Sequence, residues 1–230
     1  MRLGKLSLMG LLAVGSLLSV NSAFADSVSG VANISGAVTV SADTIDFYHW
    51  FSVPVGATNT GSFANLFGGT VNTTLTGGPT YGAVDPSVGK NFITFEIEDP
   101  TTHAISNIDF DLTYIEQGNY GNSPFTFTQA GNNVLVGMSL DGFSYYESSP
   151  GEMSSTTSGV YSTQLIVNGE SIDDVIASVN AGNAITGQSY SATFTASPTP
   201  EPASLMLMGV GLLGAGYIGR RKAQAAKKNA

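Results

Sequence analysis

Ile108-Asp109-Phe110-Asp111-Leu112-Thr113-Tyr114 alternates apolar and polar side chains without a break. A β-strand turns successive side chains to opposite faces, so this stretch reads as a strand with one buried and one solvated face. The same period of two recurs outward from it, in Phe92 to Glu98, Phe125 to Thr128, Val134 to Leu140, Val160 to Val167 and Tyr190 to Thr195. Ile34 to Val40 and Ile45 to Val53 read as strands near the start. Gly, Pro and Asn punctuate these runs. Between the termini one helix is predicted, over Ser171 to Asn180: Ser171 can cap it, Asp173 and Asp174 sit in its positive first turn, and Gly182 can end it. Asn59 to Pro79 reads as strands with wide turns or as a long surface loop, and Ser148 to Gly159 as a loop. Many short strands with almost no helix predict an all-β body over residues 26–196, an antiparallel β-sandwich or jelly roll.

The composition supports a folded chain. Of 230 residues 42% are hydrophobic, with 12 Phe and 9 Tyr, enough apolar surface to offset the entropy of ordering. Charged residues make up only 11%, and Ser, Thr, Asn and Gly take their place, which suits an exported protein of strands and turns. A formal net charge of -9 argues against a nucleic-acid partner, since phosphate backbones are held by Lys and Arg. The absence of cysteine removes disulfides, thiolate metal sites and a cysteine nucleophile. Positive charge is confined to the ends: Lys90 is the only basic residue between Asp26 and Thr199, a span holding 16 acidic ones.

The two ends carry their own signals. Arg2 and Lys5 precede an apolar run from Leu6 to Val20 and then Ala23-Phe24-Ala25, the layout of a signal peptide over residues 1–25 with small residues, Ala23 and Ala25, at the cleavage positions. Export by the secretion machinery follows. Near the other end a Pro-rich linker with Pro200-Glu201-Pro202 occupies residues 197–202. An uncharged stretch over residues 203–219 then reads as a single transmembrane helix, and the basic tail from Arg220-Arg221-Lys222, residues 220–230, places the C-terminus in the cytoplasm. Proline on both sides of Glu201 keeps that motif extended and out of the helix.

Pro200-Glu201-Pro202, the apolar segment from Ala203 to Gly216 and Arg220-Arg221-Lys222, in that order and behind a signal peptide, resemble the PEP-CTERM protein-sorting signal. The resemblance covers about 30 residues. It implies export in a Gram-negative bacterium and recognition of the Pro-Glu-Pro by an exosortase, an intramembrane transpeptidase, with removal of the helix. It further implies an inner-membrane-anchored precursor and then a place at the cell surface or in a biofilm matrix, alongside exopolysaccharide.

The body offers little catalytic chemistry. It has no G-x-S-x-G elbow, no H-E-x-x-H and no P-loop, and nothing in their spacing ties His49 or His103 to a nucleophile. No catalytic residue and no cofactor is expected. Glu96 with Glu98, and Asp109 with Asp111, fall on two adjacent strands joined by the turn around Pro100, each pair on one face. Such a face can bind Ca²⁺, can flank a glycosidic bond as acid and base, or can simply be solvated. Tyr48, Trp50, Tyr114, Tyr120, Tyr145 and Tyr146 could stack on sugar rings, with Tyr145-Tyr146 the pair expected to be exposed. Asn33-Ile34-Ser35 and Asn72-Thr73-Thr74 match the N-glycosylation pattern. The sequence thus predicts a non-enzymatic surface protein, with a carbohydrate-binding module, or less readily a polysaccharide hydrolase, as alternatives.

Overall fold

The computed structural model describes residues 27–41, 44–76, 81–120, 123–131, 133–148, 154–165, 171–199, 209–212 and 214. In chain order the strands are β1 (Gly30–Val40), β2 (Thr44–Phe47), β3 (Trp50–Ser52), β4 (Leu66–Val71), β5 (Leu75–Thr76), β6 (Gly82–Ala83), β7 (Ile93–Glu98), β8 (Ile105–Ile115), β9 (Thr126–Ala130), β10 (Asn133–Tyr146), β11 (Ser155–Leu165) and β12 (Ile185–Pro198). A one-turn helix α1 (Pro86–Gly89) precedes β7, and α2 (Ile172–Asn180) lies between β11 and β12. The all-β, antiparallel expectation holds, and the quoted stretch Ile108 to Tyr114 lies within β8.

The sandwich or jelly roll does not. Eight strands pair in the order β1-β3-β4-β7-β8-β10-β11-β12, and β12 pairs again with β1, so the sheet closes into a barrel. The closing register runs from Gly30↔Ala196 to Val40↔Ile185. β2 with β5, β6 and β9 are short additions to the ring. An alternating strand looks the same in a sandwich and in a closed sheet, because both bury every second residue. What separates them is one long-range pairing, between strands about 155 residues apart, that alternation cannot encode.

Closure needs curvature, and local irregularities supply it. Bulges disturb the register at Asp141/Gly142 between β8 and β10, at Leu66/Gly68 between β4 and β7, and at Val38/Val40 between β1 and β12. An extra residue in one strand bends and twists it, which is how a sheet turns a corner.

The interior is packed rather than hollow. Phe63, Phe92, Phe95, Phe110 and Phe194 are almost completely buried, each worth about 1.5–3 kcal/mol over the exposed state. Their rings meet edge to face, with Phe95 and Phe110 each 5.4 Å from Phe194, the geometry that aromatic quadrupoles favour. Glycines opposite aromatics make room. Gly159 is the register partner of Phe194, and a Cβ there would lie 2.3 Å from the ring. Gly36 faces Tyr190 in the same way, at 2.7 Å.

α2 forms where its signals predict. Ser171 and Asp174 make a reciprocal capping box, and Gly182 at φ 88° follows the last turn. Val175 packs with Val134 and Val136 in a second small cluster. The strand expected over Ile45 to Val53 is split into β2 and β3, and the loop expected up to Gly159 ends earlier, because β11 starts at Ser155. No helix among the described residues is long and apolar enough to cross a membrane. The predicted transmembrane helix is therefore not found there. Of residues 203–219 only 209–212 and 214 are described, as helix, and the signal peptide with Ala23 and Ala25 lies outside the described residues.

Candidate functional site

The β7–β8 hairpin sets the four candidate calcium ligands on the barrel wall. Its register, Thr94↔Asp109, Glu96↔Asn107 and Glu98↔Ile105, points Glu96, Glu98 and Asp109 outward together. The turn is held by Asp99, whose carboxylate accepts from the backbone N–H groups of Thr101 and Thr102 at 2.7 and 2.8 Å. Those donors hold the Asp99 carboxyl below its ordinary pKa. His103 occupies the turn at φ 58°, with Nδ1 2.5 Å from Glu98 Oε1.

Asp109 is only 3% exposed although it faces outward. Burial raises its pKa, the Thr94 hydroxyl that donates to Oδ1 at 2.7 Å partly offsets this, and the charges of Glu147 and Asp111 raise it further. Asp111 Oδ1 accepts from the Asn91 backbone N–H at 2.7 Å and from the Tyr145 hydroxyl at 3.1 Å. Glu98, Asp109 and Asp111 are thus each engaged with a different partner. Among the described residues no three acidic or histidine side chains converge closely enough to hold a metal ion.

Tyr145 is turned in rather than exposed. It is 8% accessible, and its hydroxyl also donates to Asn91 Oδ1 at 2.7 Å. Burial, then the neighbouring Asp111, pushes its pKa far above the ordinary phenol value, so it is a proton donor and no base at neutral pH. Tyr146 is half-buried against the core. The turn after α1 covers this part of the wall: Asn91 adopts φ 49°, a left-handed conformation that asparagine tolerates, and lays its side chain over Tyr145. The sequence did hold the signal for that turn in Asp85-Pro86-Ser87, where Asp85 caps α1 by accepting from Ser87 N at 2.8 Å.

A row of register partners, Trp50-Thr70-Thr94-Asp109-Tyr145, crosses five neighbouring strands on the outer wall. Asn72 ties it together, accepting from the Thr70 hydroxyl at 2.7 Å and donating to Thr94 Oγ1 at 3.0 Å and to the Asn91 carbonyl at 2.9 Å. The Asn33 amide likewise donates to the Thr58 carbonyl at 2.8 Å. Both sequon asparagines are therefore structural. The most exposed aromatic side chains among the described residues lie at the other end of the row, where Trp50 is 65% and Tyr48 54% exposed; Tyr114 and Tyr120 are exposed to a lesser degree. His49 meets Trp50 edge to face at 5.2 Å.

The C-terminal end of β12 shows a change of support. From Tyr190 to Ala196 the strand pairs with β1 on one side and β11 on the other; beyond Ala196 only the β11 pairing continues, through Thr156↔Ser197 and Ser155↔Pro198. Thr199 then donates its hydroxyl to the Ser154 carbonyl at 2.8 Å. Pro200-Glu201-Pro202 and Arg220-Arg221-Lys222 lie outside the described residues.

A family model, the PEP-CTERM protein-sorting motif, matches residues 198–222. The chain carries a PEP-CTERM sorting motif. It begins at Pro198, the last residue of the closing strand, so the sorting motif and the barrel wall overlap by one residue. The motif marks an exported protein processed by an exosortase. No curated protein and no solved structure matched the chain.

Proposed function

We propose that the processed barrel is a non-catalytic component of the cell surface or of an exopolysaccharide matrix. The observation that carries this reading is the position of the sorting motif behind the closing strand, which lets the body leave the motif as a complete barrel. The filled interior supports it: the crevice beside Tyr161 and Tyr190 measures about 30 Å³, whereas ligand pockets run to some 300 Å³ or more, and the larger hollow of about 360 Å³ beside Phe143 and Thr156 is an open depression. Sixteen acidic residues against one lysine between Asp26 and Thr199 give a body that repels acidic polysaccharide unless cations bridge the two. Fractionation of the producing cells, with and without the exosortase, tests the reading. Recovery in the surface or matrix fraction only when the exosortase is present supports it; an unchanged distribution contradicts it.

A second reading is carbohydrate binding, favoured by the exposure of Trp50 and Tyr48, since an accessible indole is a stacking surface for a sugar ring. Glycan binding by the mature protein that is lost in Trp50→Ala plus Tyr48→Ala establishes it. No binding across a glycan array leaves the first reading alone.

A further inference from the structure

The sorting motif is close to a rigid wall. Thr199 alone separates Pro198, paired with Ser155 in the wall, from Pro200. Two extended residues, Thr199 and Pro200, give Glu201 a reach of roughly 7 Å. A domain of some 170 residues has a radius of gyration of about 15 Å. An enzyme that grips the Pro-Glu-Pro therefore meets the barrel before it has closed on the residues preceding Glu201, unless the strand end gives way.

The strand end is built to do so. Ser197, Pro198 and Thr199 are exposed, and among the described residues they are held by β11 and by Ser154 just before it. Pro198 has no N–H to give to the ladder. Among the described residues the strand end's side-chain ties are Thr199 Oγ1 to the Ser154 carbonyl at 2.8 Å and Thr156 Oγ1 to the Ser197 carbonyl at 3.2 Å. The next residue back is different in kind. Ala196 is buried, pairs on both sides, and is followed inward by Phe194 at 0% exposure. Peeling as far as Ser197 costs solvated hydrogen bonds alone, whereas peeling past Ala196 opens the core and the barrel seam.

We propose that Ser197, Pro198 and Thr199 are a positioning segment for processing, docked on β11 in the resting protein and released as a unit, up to Ala196, when the exosortase takes Pro200-Glu201-Pro202. This rests on the exosortase reading of the motif. Release adds three residues, roughly 10 Å, to the reach of Glu201. The processing rate then scales with the fraction of molecules whose segment is open, as for any binding-competent minor state.

The cysteine-free chain permits a clean test. Full-length protein is followed by pulse-chase and mass in cells that carry an exosortase, with Thr156→Cys plus Ser197→Cys as a crosslink across the segment. Ser158→Cys plus Thr195→Cys, also exposed register partners, crosslinks the same strands inside the doubly paired region. The first crosslink slows loss of the tail by about tenfold or more, because it removes the open state, and the second leaves the parent rate. Insertion of Gly-Ser-Gly-Ser after Thr199 makes release unnecessary, so it raises the rate in the native chain and abolishes the effect of the first crosslink. Equal rates for the parent and the first crosslink, equal slowing by both crosslinks, or an insertion without effect would each overturn the proposal. A parent chain that never loses its tail overturns the exosortase reading itself, and that outcome is distinct from the other three.

Discussion

Thr199 donates its hydroxyl to the carbonyl oxygen of Ser154 at 2.8 Å, immediately before Pro200. The folded body therefore reaches to the threshold of the sorting motif, past the residue 196 at which the sequence places its end. Ser197 and Pro198, which the proline content of the segment assigns to a linker, are wall.

Gly159 is one of the wall positions that leave no room for a side chain. A methyl group there meets the Phe194 ring at 2.3 Å, so Gly159→Ala loses about 1–3 kcal/mol by overpacking. Urea titration of the mature protein measures this, and a loss under about 0.5 kcal/mol would show that the ring is not seated as described.

Tyr161 and Tyr190 are buried, and among the described residues their hydroxyls have no hydrogen-bond partner. Removing such a group is nearly neutral or stabilising, so Tyr161→Phe and Tyr190→Phe leave the protein as stable as the parent or more so. Burial raises both phenol pKa values above the ordinary 10.0. Above pH 10 the unfolded chain loses protons that the folded one keeps, so this contribution is intact below pH 10 and is lost as the pH rises further. The double Phe variant is less sensitive to alkali, as thermal melts at pH 9 and pH 11 would reveal.

Asp109 gives the opposite experiment at acid pH. Burial raises its folded pKa, so the folded state prefers the protonated carboxyl; that preference is fully present below the unfolded carboxylate pKa and is lost as the pH rises through the folded value. Asp109→Asn keeps an oxygen to accept from Thr94 and removes the charge. It is more stable than the parent at pH 7, and the difference shrinks toward pH 3. A variant less stable than the parent at pH 7 would mean the ionised carboxylate is needed there.

Calcium distinguishes a scattered acidic face from a site. A site with a Kd one hundredfold below the added Ca²⁺ would contribute about 2.7 kcal/mol, some 5–10 °C for a domain of this size. Because no three acidic side chains converge among the described residues, millimolar Ca²⁺ and chelator move the melting temperature by less than about 1 °C. A larger shift would place a site elsewhere in the chain.

Much of this was legible in residues. Ile108 to Tyr114 gave a strand with the right face inward, Ser171 with Asp174 gave α2, and the Pro-Glu-Pro with its basic tail gave the sorting signal. The barrel was not, because Gly30↔Ala196 is a pairing between distant segments and each segment alone fits a sandwich equally well. Tyr145 was missed for a related reason. Its alternation places it on the outer wall, correctly, but the turn at Asn91 that covers it comes from 54 residues away. Local pattern assigns faces; it does not say which faces another segment will cover.

The mass of the mature protein tests the central claim, an exported barrel released whole by processing at its sorting motif. A C-terminus between Thr199 and Pro202, with β12 retained, is the expected result. An intact Arg220-Arg221-Lys222 tail on most molecules, or a C-terminus before Phe194 that removes the seam, would contradict it.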